Sequence, residues 1–217
     1  MNRTTVTILS VVGAVLVIGC LVLAVFVSAY NKPMNLKLGV QEQLGVVAVM
    51  LQRQADVVLQ AQGAFGTIAG LDNAQILGFV AEAEALSGKL APYCNESTGT
   101  CNLPDDPAKQ QEIIEAMNAF DQQSTSFIAY VQQHPQLRAA DAFDTFMITV
   151  EGSANRVSTE RRTLQTRITT LKSHCLNFPG SIFCGMRGIT GNEFQYFEAA
   201  PGAENMPAPN FPTPVMP

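Results

Sequence analysis

Residues 143–171 read FDTFMITVEGSANRVSTERRTLQTRITTL, and this stretch decides the fold class. Apolar residues recur along it at alternating intervals of three and four, the spacing of one face of an α-helix. A stripe of this length predicts a long amphipathic helix that must bury its apolar face against other helices. Its members are Phe143, Met147, Val150, Ala154, Val157, Leu164, Ile168 and Leu171, with Arg161 among them.

Three earlier segments show the same helical spacing. Glycines follow the first segment, and a proline follows each of the other two, as is typical of helix ends. Asp72 and Asp106 stand where N-caps are expected, and Pro107 suits a first helical turn. The predicted stripes are Leu44, Ala48, Leu51, Ala55, Val58 and Gln62; Ile76, Val80, Ala83 and Leu90; and Ile113, Met117, Phe120, Ser124, Phe127 and Val131.

Four amphipathic helices joined by loops of modest length predict an all-α protein with an antiparallel up-down four-helix bundle. No segment alternates with a period of two, so no strand is predicted. A long dimeric coiled coil is the alternative, because the fourth helix keeps a near-heptad spacing. The Gly and Pro breaks every 25–35 residues favour the bundle.

The N-terminal region contains no charged residue from Thr4 to Asn31. Its centre, Val6–Val27, consists almost entirely of Val, Leu, Ile, Ala, Gly and Phe, and we call it the apolar run. As an α-helix it would span about 33 Å, enough for a bilayer hydrocarbon core of about 30 Å. We therefore expect a single transmembrane signal-anchor helix, with the rest of the chain on one side of the membrane.

Two other interpretations of the apolar run are possible. Val27-Ser28-Ala29 fits a signal-peptidase site, although such peptides usually have shorter apolar regions of about 7–15 residues. Val17-Ile18-Gly19-Cys20 looks like a lipobox, which would place a lipid on Cys20. Leu21–Val27 continue apolar after this cysteine, however, where a lipoprotein normally turns polar.

The composition after the apolar run limits the class of protein. The net charge is −5 and only 14% of residues are charged, so a basic nucleic-acid-binding face is not expected. Six prolines between Pro201 and Pro217 predict a disordered tail. The expected organisation is a short N-terminal flank at 1–5, the transmembrane helix at 6–29, a helical bundle at 30–199 and a disordered Pro-rich tail at 200–217.

Four cysteines lie in the loops after the second and fourth helices. Cys94 and Cys101 bracket one turn, and Cys175 and Cys184 bracket another, so two local disulfides in an oxidising compartment are the simplest interpretation. Tracing an up-down bundle places both pairs at its membrane-proximal end. Disulfides between the two loops are therefore also possible. A zinc site that includes His174 is a third interpretation, although the cysteine spacing is wider than usual for zinc.

Arg161 is the candidate buried charge. A buried guanidinium needs an ionised partner, because an unpaired charge is costly to remove from water. An internal salt bridge is the expected role, with a ligand-binding arginine as the alternative. The candidate partners are Glu151, Glu160, Glu82 and Glu84.

Several short motifs from the fourth helix onward occur together in a recognisable order. The chain resembles the LemA family of bacterial single-pass membrane proteins over residues 30–211, most strongly over 134–199. The motifs that carry the resemblance are Tyr30-Asn31, His134-Pro135-Gln136-Leu137, Glu151-Gly152-Ser153-Ala154-Asn155-Arg156, Arg161-Arg162, Phe178-Pro179, Gly188, Tyr196-Phe197-Glu198-Ala199 and Pro209-Asn210-Phe211.

The resemblance implies a membrane-anchored, largely antiparallel four-helix bundle without established activity or accepted catalytic residues. The chain departs from the family in its first helix, where Ala55–Gln60 replaces a "DLIPNL" element, so a partner contact made through that element is in doubt. Residues 92–106 and the cysteines also lie outside the family pattern.

The sequence contains no GxSxG, GxxxxGK[ST] or GxGxxG motif, and neither histidine stands in a triad or zinc-peptidase arrangement. We therefore expect no catalytic residue, no cofactor and no metal, and predict a non-enzymatic scaffold or adaptor. Its expected partners are the membrane, through residues 6–29, and an unidentified envelope protein or a second copy of itself. A ligand- or zinc-binding envelope sensor centred on the cysteines is the alternative function.

The expected location is a bacterial-type inner membrane. Few positive charges flank the apolar run, namely Arg3 before it and Lys32 and Lys37 after it, so the charge balance decides little about orientation. The cysteines favour a bundle on the periplasmic or extracellular side, because disulfides are rare in a reducing cytosol.

Overall fold

The structure is a computed structural model that describes residues 3–65, 73–95, 98–104, 106–191 and 194. The predicted tail at 200–217 and the predicted N-cap Asp72 lie outside these residues. The described chain is mostly helical, as the apolar spacing predicts. Its elements are α1 (Arg3–Phe65), α2 (Asn73–Leu90), β1 (Cys94–Asn95), β2 (Thr100–Cys101), α3 (Pro107–Gln133), a 3₁₀ helix (Pro135–Ala139), α4 (Asp141–Leu176) and α5 (Gly180–Arg187).

Helix α1 is continuous from the apolar run into the folded part of the chain, so the expected boundary between residues 29 and 30 is not a helix end. Pro33 lies inside the helix and is buried. A proline removes one hydrogen bond and favours a kink, yet α1 continues as one helix through Pro33. Among the described helices, α1 alone is long and apolar enough to cross a membrane, and none of its most apolar window is buried.

The predicted apolar stripes form one core shared by α1–α4. Helix α1 packs against α2 and α4, and α2 packs against α3. Nearly every stripe residue is buried; Gln62 is exposed and Ala154 is half-buried. Three phenylalanine rings stack at the centre, with Phe79 5.6 Å from Phe120 and 4.8 Å from Phe127 between ring centroids.

The start and end of α3 confirm the predicted helix signals. The Asp106 carboxylate accepts a hydrogen bond of 3.0 Å from the Ala108 backbone N–H, so it caps the helix N-terminus. Helix α3 ends at Gln133, directly before His134-Pro135. Both ends therefore follow from local sequence chemistry.

Two features differ from the sequence prediction. Strands β1 and β2 pair antiparallel in a small hairpin, with Cys94 opposite Cys101, although no strand was predicted. Helix α5 follows α4 and was not predicted either. Both elements are too short to show a repeating apolar pattern, so their contacts with α1 and α4 decide their conformation.

Candidate functional site

The four loop cysteines lie as two local pairs at disulfide distance. Cys94 and Cys101 have Cα atoms 4.0 Å apart across the β1–β2 hairpin. Cys175, in the last turn of α4, and Cys184, in α5, have Cα atoms 5.4 Å apart. The fifth cysteine, Cys20, lies on the exposed surface of α1.

The two cysteine pairs do not share one end of the molecule, which corrects the expectation from chain tracing. The hairpin packs beside Gly45 of α1, whereas α5 packs beside Asn31, to which Arg187 donates a hydrogen bond of 2.7 Å. From Asn31 to Gly45 the helix rises by about 21 Å. Bridges between the loops are therefore out of reach, because disulfides need Cα atoms within about 7 Å.

The zinc interpretation finds no support in the described part of the chain, where no three His, Cys, Asp or Glu side chains converge on one point. His174 stands beside the Cys175–Cys184 pair, with its Nε2 buried and without a hydrogen-bond partner. Burial lowers the pKa of His174, and the nearby positive charge of Lys32 lowers it further. Both effects favour the neutral form of the ring.

Arg161 is mostly buried and forms an ion pair between α4 and α3. One Nη donates to the Asp121 carboxylate and the other to the Asn118 amide oxygen at 2.9 Å. The Arg161 side chain is 15% exposed and that of Asp121 is 23% exposed. Burial lowers the pKa of Arg161, against the opposing effect of the Asp121 charge.

The carboxylate that pairs with Arg161 is none of the four glutamates expected from the sequence. Glu151 instead accepts a hydrogen bond from Arg138, and Glu160 accepts one of 2.7 Å from Gln43 of α1. Asp121 lies on a different helix from all four candidates, and only helix packing brings it to Arg161. Glu160 and Arg161 together connect α4 to both α1 and α3, so the contacts fit the expected structural role.

A groove of about 840 Å³ lies between α1 and the hairpin, and we call it the hairpin groove. Its apolar wall consists of Leu38, Val46, Val49, Met50 and Leu103. Along α1, Glu42 lies between Leu38 and Val46 and Arg53 follows Met50, and the buried Gln110 of α3 contributes an amide. Val46 is 37% exposed and Leu38 is 49% exposed, so apolar surface here faces solvent.

The hairpin reaches α1 because Gly45 has no side chain. A Cβ at this position would lie 2.6 Å from the carbonyl oxygen of Cys101. The hairpin turn also depends on a glycine, since Gly99 has a φ of +62° and donates to the Asn95 carbonyl oxygen at 2.8 Å. Gly45 therefore sets how closely the hairpin approaches α1, and with it the shape of the hairpin groove.

Replacing Gly45 with alanine is expected to lower the free energy of unfolding by about 1–3 kcal/mol, because the backbone of the hairpin must shift to make room. Urea unfolding of the full chain in detergent micelles, followed by circular dichroism, measures this loss. Gly152→Ala on α4 is the matched control, since no atom lies within 4 Å of the added Cβ. That variant should gain about 0.5–1 kcal/mol from helix propensity, and equal losses in both would contradict the close approach.

The described lining of the hairpin groove combines an apolar wall with polar and charged side chains. The charged and polar side chains of its described lining are Glu42, Arg53, the hydroxyl of Thr100 and the amides of Asn35, Gln41, Asn102 and Gln110. Sequence reasoning missed it, because Val46, Val49 and Met50 fall off the predicted core stripe and were not considered. Their apolar character on a second face of α1 was the available signal.

The comparison with protein families agrees with the sequence resemblance. The LemA family model matches residues 43–211, which is most of the chain. Tyr30-Asn31 precedes the matched region, and the other quoted motifs lie within it. No curated protein matches the chain. The chain belongs to the LemA family.

Proposed function

We propose that this protein is a membrane-anchored helical scaffold or adaptor of the cell envelope, without catalytic activity, that acts through protein–protein contacts. In this proposal residues 6–29 of α1 cross the inner membrane. Helices α1–α4 then form an antiparallel up-down bundle on the periplasmic side, stabilised by the Cys94–Cys101 and Cys175–Cys184 disulfides.

The order of contacts along α1 supports an antiparallel bundle. Gly39 of α1 accepts a hydrogen bond from Arg167 of α4 at 2.8 Å, whereas Gln43, one turn later, reaches Glu160, two turns earlier in α4. Partner numbers on α4 therefore fall as those on α1 rise. Because α1 continues into the apolar run, such a bundle would stand on the membrane as an extension of its anchor.

The paired cysteines support a periplasmic location. Two pairs at disulfide distance are stable in an oxidising compartment and are rare in the cytosol. With all four cysteines paired, little supports the alternative of a zinc- or ligand-binding sensor.

The hairpin groove is the single observation that carries the adaptor proposal. Its exposed apolar wall, together with the neighbouring Glu42 and Arg53, suits an amphipathic segment of another protein. Glu42 pairs with Arg167 of α4 at 3.4 Å, but 76% of its side chain is exposed, and it is nearer the membrane than Arg53 along α1. The complementary segment therefore has a basic group on its membrane-proximal side and an acidic group farther away.

Charge disfavours a second copy of this chain as the occupant. Two copies anchored in one membrane point their α1 helices the same way. A two-fold pair across the groove would then place Glu42 near Glu42 of the other copy and Arg53 near its counterpart, which is repulsive. We therefore propose another envelope protein as the partner.

Site-specific photocrosslinking in intact cells tests this proposal. A benzoylphenylalanine at Val46 is expected to form an adduct with a second protein, while one at Thr166, on the exposed polar face of α4, is the matched control. Adding Glu42→Lys should reduce the Val46 adduct several-fold through like-charge repulsion with the basic group of the partner.

Three results would contradict the adaptor proposal. Equal crosslinking from Val46 and Thr166 would show that the groove is not the binding site. An adduct of two copies of this chain would show that the groove serves self-association. If Glu42→Lys does not change the yield of the Val46 adduct, the partner does not place a basic group near Glu42.

A further inference from the structure

Helix α5 and the residues just before it expose an unusual amount of apolar surface. Leu176 is 81% exposed, Phe178 83%, Ile182 53% and Met186 57%. Outside α1, the described residues include only two other exposed large apolar side chains, Leu77 and Ile148. Exposed apolar side chains concentrated in one short segment indicate a surface that is covered by something other than water.

Two of these side chains lie on one face of α5. Ile182 and Met186 are four residues apart, the spacing of one helix face, and Phe178 is exposed in the turn just before the helix. On another face, Gly180 and Cys184 are buried, and Cys184 pairs with Cys175 of α4. The segment is thus amphipathic, with one face in the protein and one apolar face outside it.

Contacts with α1 fix the level of α5 along the anchor. The Phe183 ring packs edge-on against Phe26, in the last turn of the apolar run, with centroids 5.6 Å apart. Four residues later, the Arg187 guanidinium lies 4.1 Å from the centre of the Tyr30 ring. Helix α5 therefore lies beside the part of α1 where the apolar run gives way to polar residues.

The length of α4 independently places its C-terminal end at the same level along α1. Arg167 contacts Gly39, and Leu176 lies nine residues farther along α4, or about 13.5 Å. An equal distance back from Gly39 along α1 reaches Tyr30. Both measures therefore place α5 and the end of α4 within about one helical turn of the end of the apolar run.

The charges near α5 suit a lipid headgroup region. Arg187 and Lys32 lie at or next to the level of Tyr30, and Lys32 is close enough to His174 to lower the pKa of that side chain. Basic and aromatic side chains are characteristic of the border between hydrocarbon and headgroups. The local chemistry around α5 therefore differs from that of the weakly acidic chain as a whole.

We propose that residues 176–187 are an interfacial membrane-binding element, with Leu176, Phe178, Ile182 and Met186 inserted at the acyl–headgroup boundary of the bilayer that α1 crosses. This inference rests on the proposed membrane anchor. An amphipathic helix of this kind buries its apolar face about 5–10 Å into that boundary. Because α5 is attached to both α1 and α4, its insertion would hold the bundle in one orientation against the membrane.

The absence of tryptophan from the sequence allows a direct test. Full-length Phe178→Trp, reconstituted in phosphatidylethanolamine–phosphatidylglycerol vesicles with or without brominated acyl chains, reports contact between residue 178 and lipid. Its emission should be blue-shifted and fall by roughly half or more with the brominated lipid, because bromine quenches tryptophan within the acyl region. Ile182→Trp is a second reporter in the same element, and both side chains are exposed, so folding should not be affected.

Two further variants separate the failure of this inference from the failure of the anchor. Ile148→Trp, an exposed apolar position on α4, should show little quenching. Val17→Trp, inside the apolar run, should be strongly quenched. Quenching at Val17 without quenching at Phe178 and Ile182 would overturn the interfacial element alone, and no quenching at Val17 would overturn the anchor and the element together. Equal quenching at Ile148 and Phe178 would also overturn the element.

Discussion

Replacing Phe79 with alanine is expected to lower the free energy of unfolding by about 3–5 kcal/mol, the usual loss for a phenylalanine in a well-packed core. Phe79 is fully buried and stacks on both Phe120 and Phe127 of α3. Truncation therefore removes two aromatic contacts and leaves a cavity between α2 and α3 that rigid helices cannot close. Urea unfolding of the full chain in detergent micelles, followed by circular dichroism, measures the loss.

Leu77→Ala is the matched control on the same helix, because Leu77 is 65% exposed. It should change the free energy of unfolding by less than about 0.5 kcal/mol. The loss of unfolding free energy for Phe79→Leu should lie between those of Phe79→Ala and Leu77→Ala, since leucine preserves part of the buried volume. Similar losses for Phe79→Ala and Leu77→Ala would contradict the described core.

Replacing Asp121 with alanine is expected to cost about 2–4 kcal/mol of folding free energy. The variant leaves the Arg161 guanidinium mostly buried without its carboxylate, and breaking a buried pair from one side is more costly than removing both partners. The small remaining exposure of both side chains, 15% and 23%, places the expected loss slightly below that of a fully buried pair. The same unfolding measurement applies.

Glu112→Ala, also on α3, removes an exposed pair with Lys89 and provides the control. It should cost less than about 1 kcal/mol. The double variant Asp121→Ala with Arg161→Met should lose less than the sum of its single variants, because no charge is then left buried. If Asp121→Ala costs no more than Glu112→Ala, the pair does not stabilise the fold, and the ligand-binding role for Arg161 becomes the better explanation.

Both predictions concern contacts that connect α3 to its neighbours, and their outcome bears on the proposed function. The hairpin groove is formed by α1, the hairpin and the start of α3, so its shape depends on how these elements pack. An adaptor surface must keep its shape to recognise a partner, because ordering it on binding costs affinity. A stable core is therefore part of the proposed binding mechanism.

Much of the fold could be predicted from the spacing of apolar residues. The stripe residues of α3 are all buried, and the Asp106 cap and the helix end before Pro135 follow local chemistry. The local cysteine pairing could be proposed because each pair brackets one short turn. The two-residue strands and the eight-residue helix α5 could not be predicted, because they are too short to show a repeating apolar pattern.

The candidate sites were harder to predict than the helices. The sequence placed Arg161 on a buried stripe and correctly implied a need for a partner, but the partner lies 40 residues away on another helix. The hairpin groove depends on Gly45, where a close backbone approach rather than a helix break explains the glycine. The role proposed for the exposed side chains of α5 depends on the contact between Phe183 and Phe26, which places α5 along α1.

The sequence by itself determined the helical class, the apolar run, the core faces and the family, because these depend on composition and on periods along one chain. Only the tertiary structure decided that α1 is one helix from the apolar run into the folded part of the chain and that Asp121 pairs with Arg161. It also decided that the two cysteine pairs lie about 21 Å apart along α1. These features depend on which helix faces meet and at what height, and that is set by packing between residues distant in sequence.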